Sequence, residues 1–174
     1  MRKNLGFTLV ELMIGVAIVG ILAAIAVPAV INWLPNYRLK SAASNLKSNF
    51  QKAKLEAVKR NADVIIAFTT TAAPVGGSYQ IFIDDGAGGG IAGNEVRDGT
   101  EQIIATITMP KNVALYSAIF PADAIAGFNS RGLPTSGLGN VRLSNTNSRF
   151  YQIALSIAGN LNMTTSNNAG GPWS

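Results

Sequence analysis

The sequence predicts an α+β fold, a long N-terminal hydrophobic helix packed on a small, mainly antiparallel β head domain. Three observations predict it. An apolar block lies near the N-terminus, a stretch with helical periodicity follows, and after Arg60 short apolar runs alternate with Gly, Pro, Asn and Ser clusters. The 174 residues are 48% hydrophobic and 13% charged, a balance that suits one compact domain plus an extra helix. Cysteine and histidine are both absent. That excludes disulfides, thiolate nucleophiles, Cys/His zinc sites and His-based triads or proton shuttles.

The chain opens Met1-Arg2-Lys3-Asn4-Leu5-Gly6-Phe7-Thr8-Leu9-Val10-Glu11, and residues 12–31 carry no charge. At about 1.5 Å per residue, that run spans the ~30 Å hydrocarbon core of a bilayer. A plain transmembrane anchor is one reading. A cleaved secretory signal is another, since Ala24-Ile25-Ala26 matches the A-x-A pattern, although the apolar run continues through it to Ile31. Neither reading accounts for Glu11, because a carboxylate at membrane depth costs on the order of 3 kcal/mol and points to a function. Pro28 and Pro35 each remove an intrahelical hydrogen bond and predict a kink. Arg2 and Lys3 at one end and Arg38 and Lys40 at the other leave the topology open on charge alone.

The stretch Gly6-Phe7-Thr8-Leu9-Val10-Glu11-Leu12-Met13 is similar to the signature of type IV pilins and type II secretion pseudopilins. The resemblance implies that a prepilin peptidase cuts between Gly6 and Phe7 and methylates the new N-terminal Phe7. It also implies a bacterial inner-membrane subunit, with its head on the periplasmic side, that joins other pilins or pseudopilins in a filament through an assembly platform. Glu11 then lies close to the new amine of Phe7. Paired with a neighbour's amine inside an apolar core, it would set the register of each incoming subunit, since a broken buried pair costs about 3–5 kcal/mol.

Between residues 36 and 60, Leu39, Ala42, Ala43, Leu46, Phe50, Ala53 and Ala57 recur at three- and four-residue spacings and predict one buried stripe. Lys40, Lys47 and Lys54 mark the opposite side, and Lys52 and Glu56 are spaced for an i,i+4 pair. Strands are predicted at residues 64–70, 79–83, 103–108, 113–116, 124–128, 141–144 and 150–157. The resulting organisation is a leader at 1–6, a membrane and filament-core helix at 7–35, an amphipathic helix at 36–60, a β-rich head at 61–163 and a flexible tail at 164–174.

Within the head, Ala53-Lys54-Leu55-Glu56-Ala57-Val58-Lys59-Arg60, Phe128-Asn129-Ser130-Arg131-Gly132 and Ile153-Ala154-Leu155-Ser156-Ile157-Ala158-Gly159 resemble motifs of the GspH/FimT family of minor pseudopilins and minor pilins. The Cys-Pro often found after the first head strand is replaced by Phe68-Thr69-Thr70. The C-terminal basic motif of DNA-binding members is replaced by Asn160-Leu161-Asn162 after Gly159. In the loop from Asp84 to Glu95, oxygen ligands at Asp84, Asp85, Asn94 and Glu95 could hold calcium, but the spacing matches no EF-hand and a hairpin connection is the better reading.

These features predict a structural filament subunit, minor pseudopilin or minor pilin, with no catalytic residues, no metal and no cofactor. The alternative is a DNA-binding minor pilin using the basic helix at 38–60. No aromatic residue interleaves its lysines, so nucleic acid is not the expected partner.

Overall fold

A computed structural model describes residues 7–121 and 123–174, so the expected leader at 1–6 lies outside the described residues. The chain divides into two compact units, Met1–Leu34 and Pro35–Ser174. Helix α1 spans Leu9–Arg60. Its first turn is a capping box: Glu11 N donates to Thr8 Oγ1 at 3.2 Å, and Thr8 N donates back to Glu11 Oε2 at 2.9 Å. At the other end, Ala62 N reaches back to Ala57 O at 3.3 Å, with Asn61 in the left-handed region at φ 53°. That is a Schellman stop, with asparagine in the place most often taken by glycine.

In the first unit, the side chains of residues 7–33 are all exposed. An 18-residue window there has mean hydropathy 2.8 and none of it is buried. The helix assignment continues without interruption through Pro28 and Pro35.

In the second unit, α1 buries Leu39, Ala42, Ala43, Leu46, Phe50, Ala53 and Ala57, the stripe its spacing predicts, together with Pro35. The expected Lys52–Glu56 pair is corrected. Glu56 instead binds Arg60, with Nε 2.7 Å from Oε2. A glutamate four residues before its cation is the better-oriented arrangement on a helix, which decides between the two partners. The Arg60 hydrogen bond holds the Glu56 carboxyl below its ordinary range.

Eight strands follow: β1 Asp63–Thr69, β2 Ser78–Asp84, β3 Ile103–Thr108, β4 Val113–Ile119, β5 Ile125–Phe128, β6 Gly139–Asn145, β7 Phe150–Leu155 and β8 Leu161–Ser166. They form two four-stranded antiparallel sheets, in the orders β3-β2-β1-β5 and β4-β6-β7-β8. Both sheets and the helix stripe share one core. Phe50 sits at its centre, 6.0 Å from the Phe68 ring and edge-on to Phe128 at 6.3 Å, a geometry that adds to the area the rings bury.

The flexible tail expected from residue 164 is corrected. Strand β8 runs to Ser166 and pairs with β7 along its whole length. Beyond it, Ser174 N donates to Thr165 O at 3.0 Å and Thr165 N to Ser174 O at 2.8 Å. Arg142 lies over the Trp173 ring at 5.2 Å. Small polar composition suggested freedom, but a strand edge supplies backbone partners that composition does not reveal.

Candidate functional site

The N-terminal site is built by the start of α1. Phe7 is 88% exposed. Thr8 caps the helix, and Glu11 Oε2 accepts both Thr8 N at 2.9 Å and Thr8 Oγ1 at 2.8 Å. The carboxylate is therefore satisfied within its own chain by a neighbour three residues away, at the head of a segment otherwise apolar on every side. Thr8 is a residue the sequence reading missed, although Thr-x-x-Glu before an apolar run is the written form of a capping box. Gly6, the other half of the expected processing site, lies outside the described residues. Pro28 is in the exposed unit, whereas Pro35 is buried at the start of the second.

The three head motifs, far apart in sequence, come together at one junction. Lys54 Nζ donates to Gly159 O at 3.4 Å. A Cβ on Gly132 would lie 3.2 Å from Lys54 Cε and Val58 Cγ2, and one on Gly159 would lie 3.1 Å from Lys54 Nζ. Both glycines also have φ of +74°, where a side chain is strained. Ala53 and Ala57 are buried on the neighbouring face of the helix, and Phe128 and Ile153 are in the core. The motifs thus lock the end of α1 to two turns, after β5 and after β7.

The acidic loop between β2 and β3 uses its carboxylates on its own backbone. Asp84, 2% exposed, accepts Gly93 N and Glu95 N, each at 2.7 Å. Glu101, 1% exposed, accepts Gly86 N and Asp98 N at 3.1 Å. Asp98 accepts Ile91 N and the Asn94 amide, and Glu95 Oε1 accepts Ser136 Oγ at 3.0 Å. Among the described residues, no three metal-ligating side chains cluster. Asp63 lies opposite Asp84 in the β1–β2 register. Partial burial, then the charges of Asp84 and Glu95, push its carboxyl above the ordinary range.

Residues 1–27 match the prokaryotic N-terminal methylation motif, and residues 42–159 match the family described as Type II transport protein GspH. A fimbrial protein of Pseudomonas aeruginosa is 31% identical over 121 residues, covering 68% of this chain and 78% of its own length. The type IV major pilin protein PilA of Myxococcus xanthus is 50% identical over 52 residues, covering 30% of this chain and 24% of its own. Among solved structures, the type IV minor pilin FimU of Pseudomonas aeruginosa is similar at 15% identity and TM-score 0.48, covering 72% of this chain and 91% of that one. The minor pseudopilin EpsH of Vibrio cholerae is similar at 12% identity and TM-score 0.49, covering 72% and 95%. The sequence matches carry the assignment: behind an N-terminal methylation motif, the chain belongs to the GspH family, the pilin-like structural subunits of type IV pili and type II secretion pseudopili.

Proposed function

We propose that the chain is a minor pseudopilin or minor pilin, stored in the inner membrane by residues 7–34 and moved from there into a filament core. A prepilin peptidase removes residues 1–6 and methylates Phe7, an assembly platform extracts the subunit, and the head works on the periplasmic side. The reading is structural rather than catalytic.

One observation carries the proposal. The helical segment of the first unit is apolar and exposed on every side, with Glu11 the single ionisable side chain in it. A helix hydrophobic all round needs lipid or other apolar helices about it. Bonded to Thr8, the Glu11 carboxylate has partners while it waits in the bilayer. In the filament it exchanges them for the charged amine of a neighbour's Phe7, and the low dielectric of the core makes that pair stronger than a neutral hydrogen bond.

The test compares Glu11→Ala with the parent chain in a producing strain. The variant is expected to be cleaved and inserted normally yet depleted from sheared filaments about a hundredfold, the equivalent of losing roughly 3 kcal/mol. Normal entry into filaments would refute the role of Glu11. A mature protein that does not begin at a methylated Phe7 would refute the processing.

A further inference from the structure

We infer that the edge of β3, with the groove beside it, accepts an extended strand from a partner protein and seats a carboxylate of that strand at Arg38. The inference does not depend on filament assembly.

Two sheets have four edges, and at three of them another segment of the chain bonds to the outer strand. On the β4 edge, Gly76 N donates to Val113 O at 2.8 Å and Leu115 N to Gly76 O at 2.9 Å. On the β5 edge, Thr135 N donates to Gly127 O at 3.0 Å, and Pro134 bridges to Phe128. On the β8 edge, Ser174 exchanges backbone hydrogen bonds with Thr165. The β3 edge is different. Among the described residues its one strand partner is β2.

Met109 N donates to Gly77 O on the β2 side. Alternation along the regular part of the strand therefore turns the amides of Thr108 and Thr106 outward, up to the bulge that skips Ile104 opposite Ile81 and Phe82. The register with β2 is unbroken from Ser78↔Thr108 to Ile81↔Ala105. Ile103-Ile104-Ala105-Thr106-Ile107-Thr108 holds neither a charge nor a proline. Charge and proline are two of the devices that keep an exposed edge from pairing; β3 has neither, and its bulge opposite Ile81 and Phe82 leaves the stretch from Ala105 to Thr108 regular and open to pairing.

Beside this edge runs a groove of about 280 Å³. Tyr37, Ser41 and Asn45, four residues apart on one face of α1, form one wall, and Ile107 and Thr108 form the other. A strand added to β3 would extend the sheet alongside that helix face and direct every second side chain into the groove. The space suits small, branched apolar groups. Arg38, which donates to Asn112 Oδ1 at 2.7 Å, is the charged side chain among the lining residues, and no carboxylate stands there with it. Charge complementarity therefore selects an occupant with a carboxylate at that end.

The probe is a soluble, fluorescently labelled peptide of alternating threonine and valine with a free C-terminal carboxylate, titrated onto the full chain in detergent micelles. Saturable anisotropy is expected, with amide exchange slowed at least tenfold at Thr106 and Thr108 and unchanged in β8. The same peptide N-methylated at alternate amides is expected not to bind. A C-terminal amide is expected to bind about tenfold more weakly, a difference that Arg38→Gln erases. Equal binding of the N-methylated peptide, or absence of saturable binding, would overturn the proposal. So would β3 amides already protected by self-association of the free chain.

Discussion

Residues 9–34 and 35–60 belong to the same α-helix, yet the first stretch buries no side chain and the second buries a full stripe. Their backbone is alike; their solvents are not. In the second, alanines at 42, 43, 53 and 57 let the helix approach the sheets closely, while Leu39, Leu46 and Phe50 fill the remaining volume. The first has leucine, isoleucine and valine on all sides and no face reserved for a core. One helix thus serves two environments, and the residue types around its circumference tell which stretch belongs to which.

If that division is right, the two stretches should fail in different assays. The largest effect is expected from Phe50→Ala. Removing the ring that contacts Phe68 and Phe128 should cost about 3–5 kcal/mol of head stability, read as a lower denaturation midpoint of the full chain in detergent. Leader cleavage and membrane insertion should be unchanged; loss of both would show that the stretches are not separable. The mirror experiment is Val19→Lys. A charge at this exposed, apolar position costs roughly 3 kcal/mol in insertion, so membrane association should fall while the head's denaturation midpoint stays put.

Much of this division was legible in the sequence. The apolar run, the carboxylate at 11 and the stripe from Leu39 to Ala57 are periodic features, and periodicity survives without knowledge of neighbours. What was not legible depends on pairing. Strand β8 reads Leu-Asn-Met-Thr-Thr-Ser, too polar to register as a strand, and is held by β7 and the chain's last residues. The carboxylates of the acidic loop looked like free oxygen ligands because their backbone donors are supplied by turns that no spacing announces. The head motifs were visible as motifs, but their convergence at Lys54, Gly132 and Gly159 is a tertiary fact.

That convergence gives a smaller, sharper test. Gly159→Ala places a methyl at φ +74°, 3.1 Å from Lys54 Nζ and 3.2 Å from Gly132 O. Strain of this kind costs on the order of 1–3 kcal/mol, so the denaturation midpoint should fall less than with Phe50→Ala. Gly170→Ala, which meets nothing within 4 Å, is the control. Equal effects at both positions would mean that the junction does not lock the end of α1.

The smallest effect lies where the head tolerates an unfavourable charge. Partial burial of Asp63, then the charge of Asp84 across the first strand pair and that of Glu95, make its carboxyl titrate above its unfolded value. A carboxyl raised in the folded state binds its proton more tightly there than in the unfolded chain. The penalty is absent below the unfolded pKa, develops as pH rises through the window up to the folded value, and is complete above it. Asp63→Asn should therefore raise the midpoint at neutral pH by about a degree or two, an amount that respects the solvent screening of a partly exposed group. The gain should vanish below the ordinary aspartate range, near pH 3, where the parent chain carries the proton in both states. A gain that persists in acid would assign the effect to packing. A loss at neutral pH would mean that the Asp63 carboxylate is held by a favourable contact stronger than its repulsion from Asp84 and Glu95.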